Sequence, residues 1–577
     1  MQPGDAQLSG GVVLALTPDW LPIDGGPVLA WRTGPVRPGP VRPAATTGVV
    51  IVAPLAYEQW TTHATLRELA WRLAEAAVMV LRFDSRGTGD SGGDSWQPLD
   101  LADRVAEVAA AAATLRSHGC ERVLLVGLRF GASLALLAGA EVGADAIVAV
   151  APVVRGSRLA KELTLLGSTV PDTDPRDWAR GSLVSGGVPF PAETLAGVRG
   201  MDLRGLTAPP APRVLLVAAE ASGETDALAA RLTELGSAVD RHAAVGLDGI
   251  LGISAERAVV PAVLLAEITD WLSPGTAGEW AGAPRLGVDG AAVDLPWRGG
   301  RVREQPVVLG PSRLVGVLAE PADGGHPDTV VVFLNSGAEH HVGPGRAWVE
   351  LARQLSLDGI ASVRLDFAGW GESVLQAGSV AARPYAASGV TDAVAAAEAL
   401  HARGFDRVLL VGLCSSAWVA LRAAESPHVD GVYALNPQLY WQPGDPDQMN
   451  VAEATSWRAA SIRREARGRR LHLWSLLDVV GVPTRARGRL SDLGRRGRPV
   501  RLVYADGDLG LTYVRDRLSR QLRRVLDEGI VELAVLPGID HQMHLEWRRH
   551  VVATDLAGWV RGLPRAATPT EVDPCTC

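Results

Sequence analysis

Cys414 lies at the centre of Val411-Gly412-Leu413-Cys414-Ser415-Ser416-Ala417, between an apolar run and an Ala-rich stretch of helical character. Small residues there allow a tight strand-to-helix turn that presents the central side chain at a helix N-terminus, where a thiol is more easily ionised. A thiolate so held can attack an acyl carbon, provided that an imidazole exchanges protons with it and a carboxylate orients the imidazole. Two downstream turns carry such groups. The apolar strand 500–505 runs into Asp506-Gly507-Asp508-Leu509-Gly510, and the strand ending at Leu536 runs into Pro537-Gly538-Ile539-Asp540-His541, with His544 just beyond. Asp506 and Asp508 are candidate acids, His541 and His544 candidate bases, and Ser415 and Ser416 are alternative nucleophiles.

The turn at Cys414 resembles the nucleophile elbow Gly-x-Ser-x-Gly of the α/β-hydrolase superfamily, with Cys for Ser and Ser416 for the second Gly. Polyester synthases and dienelactone hydrolases are similar in using cysteine there. The resemblance implies a triad in the chain order nucleophile, acid, base, and favours Cys414, Asp508 and His541. It also implies an oxyanion hole from the N–H of Ser415 and from that of Ser336 or Gly337, in the loop after an early strand. That loop continues through Glu339-His340-His341, read as lining the substrate site. Paired histidines without a spaced partner set give no metal motif, and no metal or organic cofactor is expected.

The same series of residues occurs twice. Arg82-Phe83-Asp84-Ser85-Arg86-Gly87-Thr88-Gly89-Asp90-Ser91 answers to Arg364-Leu365-Asp366-Phe367-Ala368-Gly369-Trp370-Gly371-Glu372-Ser373, an offset of 282 (364 − 82), and Val123 to Leu128 answers to Val408 to Leu413, an offset of 285 (408 − 123). In the first copy Arg129 stands at the nucleophile's place within Gly127-Leu128-Arg129-Phe130-Gly131, the acid turn reads Ala219-Glu220-Ala221-Ser222-Gly223, and Gly249 stands opposite His541. Arginine cannot attack an acyl group. The first copy therefore reads as a structural relic, or as a pocket in which Arg129 holds a substrate anion.

Short apolar strands alternating with helical stretches imply buried parallel strands in doubly wound sheets. Strands are expected over 48–54, 78–84, 122–127, 146–152, 213–219 and 241–245, and again over 329–335, 361–366, 407–412, 431–436, 500–505 and 531–536. The fold class is thus α/β, as two tandem α/β-hydrolase domains, each with a cap insertion at 155–209 and 440–498. Domain 1–275 is degenerate, 276–300 is a Gly/Pro/Ala-rich linker, 301–565 carries the candidate triad, and 566–577 is expected to be a disordered tail. The whole chain is similar to bacterial tandem hydrolases of the serine aminopeptidase branch and to exosortase-system-associated hydrolases, through Tyr57-Glu58, the paired Arg82 to Ser91 segment, Gly412 to Ser415 and Asn436-Pro437-Gln438. The resemblance implies a hydrolase and leaves its substrate open.

Composition sets the remaining bounds. The 577 residues are 47% hydrophobic and 21% charged with a formal net charge of −8, which disfavours a nucleic-acid partner. Lys161 is the only lysine among 56 basic residues, so the arginines of segment 458–498 reflect a compositional habit as much as a docking face. Trp441, Trp457 and Trp474 in that cap either line an acyl channel or pack it down. Four cysteines do not make a disulfide framework, and no apolar run reaches membrane-span length, so a cytoplasmic protein is expected. Cys120 reads as structural and the Cys575/Cys577 pair as inert. The expected partner is a small-molecule or carrier-bound acyl substrate, with homodimerisation open. The rival to an enzyme is a catalytically silent scaffold of two decayed copies.

Overall fold

The computed structural model describes residues 13–36, 46–167, 181–218, 223–252, 255–273, 285–286, 289–325, 327–375, 384–437, 493, 496–517, 525–527 and 531–564. Most of the second cap, including Trp441, Trp457, Trp474 and the arginines 458–470, lies outside this set. So do the turn 219–222, Gln438, and the tail with Cys575 and Cys577.

Among the described residues, two nine-stranded sheets carry the fold. The first runs, in space, Ala238–Ala243, Arg213–Ala218, Ala146–Val150, Arg122–Leu128, Thr47–Val52, Met79–Phe83, Val28–Val36, Val13–Leu21 and Arg285–Leu286. In the same direction the second runs Val531–Leu536, Val500–Ala505, Gly431–Leu435, Arg407–Leu413, Thr329–Phe333, Ala361–Leu365, Leu314–Pro321, Gly300–Leu309 and Val293–Trp297. In each sheet six neighbouring strands are parallel, and these are the six expected from the sequence. Several, such as Met79–Phe83, Ala146–Val150 and Gly431–Leu435, are buried at every residue, because helices cover both faces. Removing such a side chain from water contributes about 1.5–3 kcal/mol, so these Val/Ile/Leu runs fix the strands firmly.

The strands that the sequence did not announce are the antiparallel ones at the N-terminal edge of each sheet. Gly300–Leu309 opens with Arg301, Arg303, Glu304 and Gln305 around the single apolar Val302, and the buried Glu304 breaks the apolar pattern that would announce a strand. The second sheet begins at Val293, within the stretch read as linker, because Leu295 and Trp297 are buried at 0% and 2% exposure. Arg285–Leu286 pairs in parallel with Val13–Leu21. Of the insertion 155–209, the described part comprises helices Gly156–Gly167 and Ala192–Gly200 and the hairpin Leu183–Ser185/Val188–Phe190.

The paired Arg-x-Asp…Gly-x-Gly-(Asp/Glu)-Ser segments turn out to be the seam between the copies. Arg82 donates from both terminal nitrogens to Glu372, at 3.0 and 2.6 Å. Arg364, equivalent to Arg82, donates at 3.2 and 2.8 Å to Asp90, equivalent to Glu372. The contact is self-complementary, as in a twofold dimer interface, but made within one chain. Glu304 receives Arg353 and Arg364, and Arg353 also reaches the Asp90 carbonyl at 2.7 Å. Gly89 and Gly371, with φ of +48° and +43°, must be glycine, since a Cβ would overlap the carboxylates of Asp84 and Asp366.

Candidate active site

The strand Arg407–Leu413 ends at Cys414, which stands at φ 54°, ψ −104° immediately before the helix Ser415–Ala423. Such a conformation costs about 1–3 kcal/mol for a non-glycine residue and persists only where neighbours impose it. Gly412 has no room for a Cβ against the backbone of Ser416 and Ala417. Ser416 replaces the second motif glycine and stitches the turn, its hydroxyl accepting from the Leu413 N–H at 2.9 Å and donating to the Leu413 carbonyl at 3.1 Å. That hydroxyl is committed to the backbone and 1% exposed, so it does not face a substrate. Cys414 is partly exposed.

His541 follows the strand Val531–Leu536, and its Nδ1 lies 2.5 Å from Asp508 Oδ2. The second oxygen of Asp508 accepts the Gly510 N–H at 2.7 Å. Asp506 is exposed and has no place in this chain of contacts. With Nδ1 taken, Nε2 is left for Cys414, with which the imidazole is hydrogen-bonded. Burial alone would push the imidazole down; Asp508 and Cys414 outweigh it and hold its pKa up at about 9. The ring thus lies between a carboxylate and a sulfur that both favour its protonated form. His544 is turned away, its Nδ1 3.4 Å from Asp540.

Two participants escaped sequence reasoning. Asn436, fully buried, receives the Ala505 N–H on Oδ1 at 2.7 Å and donates to the His541 carbonyl at 3.0 Å, tying the acid-bearing strand to the base-bearing loop. Its counterpart in the first copy is Ala151 (436 − 151 = 285), a difference that could have singled it out. Tyr385 places its hydroxyl 3.8 Å from Cys414 Sγ and packs edge-on to Trp418. No spacing in the sequence signals it.

Ser336 sits against the elbow, its hydroxyl donating to the Leu413 carbonyl at 2.9 Å, and Gly337 follows it at φ 59°. The Ser415 N–H, in the first turn of its helix, has no acceptor within that helix. A cleft of ≈320 Å³ opens alongside, lined by Asn335, Phe367, Trp370, Tyr385, Gly389 and Ser415 among others.

The two histidines read as substrate-lining are placed in the seam between the copies. His341, 1% exposed, is clamped between Asp366 at 2.6 Å and Asp90 at 2.5 Å, and these carboxylates raise its pKa well above the ordinary value against the opposing effect of burial. His340 stacks on His63 at 4.1 Å, and burial, with the neighbouring histidines, holds it well below the usual range. The adjacency that suggested a loop reaching substrate instead serves domain docking. Among the described residues no group of three or more His, Cys, Asp or Glu is arranged to hold a metal ion.

Arg129 keeps the elbow's backbone, φ 55°, ψ −118°, before the helix Phe130–Val142. Its guanidinium is engaged by Glu58 at 2.9 Å and Glu162 at 2.6 Å, so two carboxylates already satisfy the charge offered to a substrate anion. Gly249 closes a 3₁₀ turn, Leu247–Gly249, with no imidazole.

Both sheets have the α/β-hydrolase architecture, and residues 60–183 match the family model of the serine aminopeptidases, S33. That segment belongs to the copy whose elbow carries Arg129. No curated protein matches the chain. Among solved structures it is similar to the ferulic-acid-bound Est1E from Butyrivibrio proteoclasticus, at 14% identity over 44% of this chain and 97% of that one, TM-score 0.32. It is similar also to a dienelactone hydrolase from Anabaena variabilis, at 15% over 48% and 98%, TM-score 0.29. A proline iminopeptidase from Mycobacterium smegmatis gives 14% over 44% and 97%, TM-score 0.31.

Proposed function

We propose that the second copy is an acyl-transfer enzyme working through an acyl-Cys414 intermediate on an ester, thioester or activated amide. The observation that carries the reading is the continuous contact from Cys414 through His541 to Asp508 at the end of a strained elbow. The thiolate adds to the carbonyl carbon, and the amides of Ser415 and Ser336 or Gly337 receive the developing oxyanion. As the tetrahedral adduct collapses, the His541 imidazolium gives its Nε2 proton to the departing alkoxide, thiolate or amine. The imidazole then takes a proton from water or an alcohol, which attacks the thioester; the acid or new ester leaves and the thiolate–imidazolium pair is restored. Asp508 keeps the ring oriented throughout.

The test is mass spectrometry of the intact protein after exposure to a panel of small acyl esters, for wild type, Cys414→Ala, Ser415→Ala and His541→Ala. An acyl increment on Cys414, present in wild type and Ser415→Ala and lost in Cys414→Ala, is expected. An adduct that survives Cys414→Ala overturns the assignment, and no adduct from any ester favours the silent scaffold.

A further inference from the structure

The Tyr385 hydroxyl lies 3.8 Å from Cys414 Sγ, within hydrogen-bonding reach of so large an atom. Between a phenol and a thiol either could donate. An ionised sulfur has only lone pairs to offer, so toward a thiolate the phenol O–H is the donor. Hydrogen bonds to a charged partner are roughly twice as strong as neutral ones, so the contact favours the ionised sulfur over the thiol.

The tyrosine is held there against its own backbone preference. Its φ is +63°, a region that bulky side chains rarely enter and that persists only where the surroundings impose it. The ring packs edge-on to Trp418, with centroids 5.9 Å apart at 80°, and Trp418 belongs to the helix Ser415–Ala423 that begins directly after Cys414. Arg422 lies 3.9 Å over the Trp418 ring and holds that support in turn. The helix that starts at the sulfur therefore also carries the side chain that locates the phenol.

The first copy has a different residue at this place. Glu107 receives the Arg86 N–H at 3.0 Å just as Asp392 receives the Ala368 N–H at 2.9 Å, which aligns their helices at an offset of 285 (392 − 107). By that offset Tyr385 answers to Asp100 (385 − 285). Asp100 caps the helix Leu101–Ser117 in a reciprocal box with Asp103, at 2.8 and 3.2 Å. The helix Ala387–Ala402 has no side-chain cap. Where the elbow holds Arg129, the position stabilises a helix; where it holds Cys414, the position carries a strained tyrosine directed at the sulfur.

We infer that Tyr385 is a further catalytic residue of the second copy, its phenol O–H donating to the Cys414 sulfur and stabilising it as the thiolate alongside His541. The inference rests on Cys414 acting as the nucleophile.

The test is the pH dependence of Cys414 alkylation by iodoacetamide in full-length wild type and Tyr385→Phe, read by peptide mass spectrometry so that Cys414 is followed apart from Cys120, Cys575 and Cys577. The substitution removes one oxygen and keeps the ring against Trp418. Only the thiolate is alkylated, so the Tyr385→Phe profile is expected to shift to higher pH, with the rate at pH 6 lowered about threefold to tenfold and the two rates converging where the thiol is fully ionised. A merely structural lesion would change the rate by one factor at every pH. Superimposable profiles, or such a uniform change, overturn the inference. Alkylation needs an ionised sulfur but no acyl chemistry, so the two readings fail separately. A blank ester panel with a Tyr385-dependent profile removes the acyl-transfer reading and keeps the contact, whereas an acyl-Cys414 adduct with superimposable profiles removes the role of Tyr385 alone.

Discussion

Arg364 and Asp90 meet at 2.8 Å across the boundary between the two copies, and Arg82 and Glu372 repeat the pair with the copies exchanged. Between them His341 is held by Asp90 on one ring nitrogen and Asp366 on the other. The most recognisable repeated motif of the chain is thus an interface device, which explains how it survives equally in a copy with a candidate triad and in one without.

Breaking that clamp is expected to be costly. His341→Gln leaves two buried carboxylates facing a neutral amide, and removing one partner of a buried ion pair typically costs about 3–5 kcal/mol. The sign with pH follows from the raised imidazole. Its stabilising contribution is fully present below the ordinary value of 6.5 and is lost as pH rises through the higher folded value. Denaturant unfolding across alkaline pH should show a falling wild-type stability with a shallower slope in His341→Gln; equal slopes would refute the clamp.

Asn436 touches no reacting atom, so its effect should be confined to positioning. Asn436→Ala frees the His541 carbonyl and the Ala505 N–H, and a small misplacement of the imidazole is expected to lower kcat roughly 10–100-fold. KM should move little, since no cleft wall is altered. A rise in KM with unchanged kcat would contradict the role.

The parallel strands and the elbow were legible because continuous apolar runs and a turn of small residues each have one good folding solution. The chain order of Cys414, Asp508 and His541 was legible by resemblance, and Asp508 rather than Asp506 is the residue placed against the imidazole. What stayed hidden depends on packing between segments distant in sequence. His340 and His341 looked like a substrate loop until Asp90, some 250 residues away (341 − 90 = 251), was found bonded to the ring.

The pH dependence of the acyl reaction should report the imidazolium. With His541 held at about 9, the proton donor for the leaving group is present through neutral pH, and kcat/KM should fall with an alkaline limb near that value. Asp508→Asn removes the leading cause of the upward shift, so the limb should move to lower pH, with a loss in kcat on the order of 10²–10⁴-fold. A limb that stays fixed would show that another group controls it.

Cys414→Ser separates a thiolate–imidazolium pair from a conventional serine triad. A serine hydroxyl stays neutral at these pH values, so attack requires His541 as a neutral base, whereas in the proposed mechanism a thiolate coexists with the protonated ring. The substitution also removes Cys414 from the influences that raise the imidazole, leaving Asp508 to oppose burial, so the ring should titrate at lower pH. The expected result is a pH profile of changed sense. Where the wild type is active through neutral pH and declines near 9, the serine variant should gain rate as pH rises through the lowered His541 value, at a kcat reduced by roughly 10²-fold or more, the scale at which a misfitted nucleophile and base fail together. Steady-state rates on the best ester of the panel across pH 5–10 would decide it, and coincident profiles for the two proteins would mean that sulfur is not ionised ahead of attack.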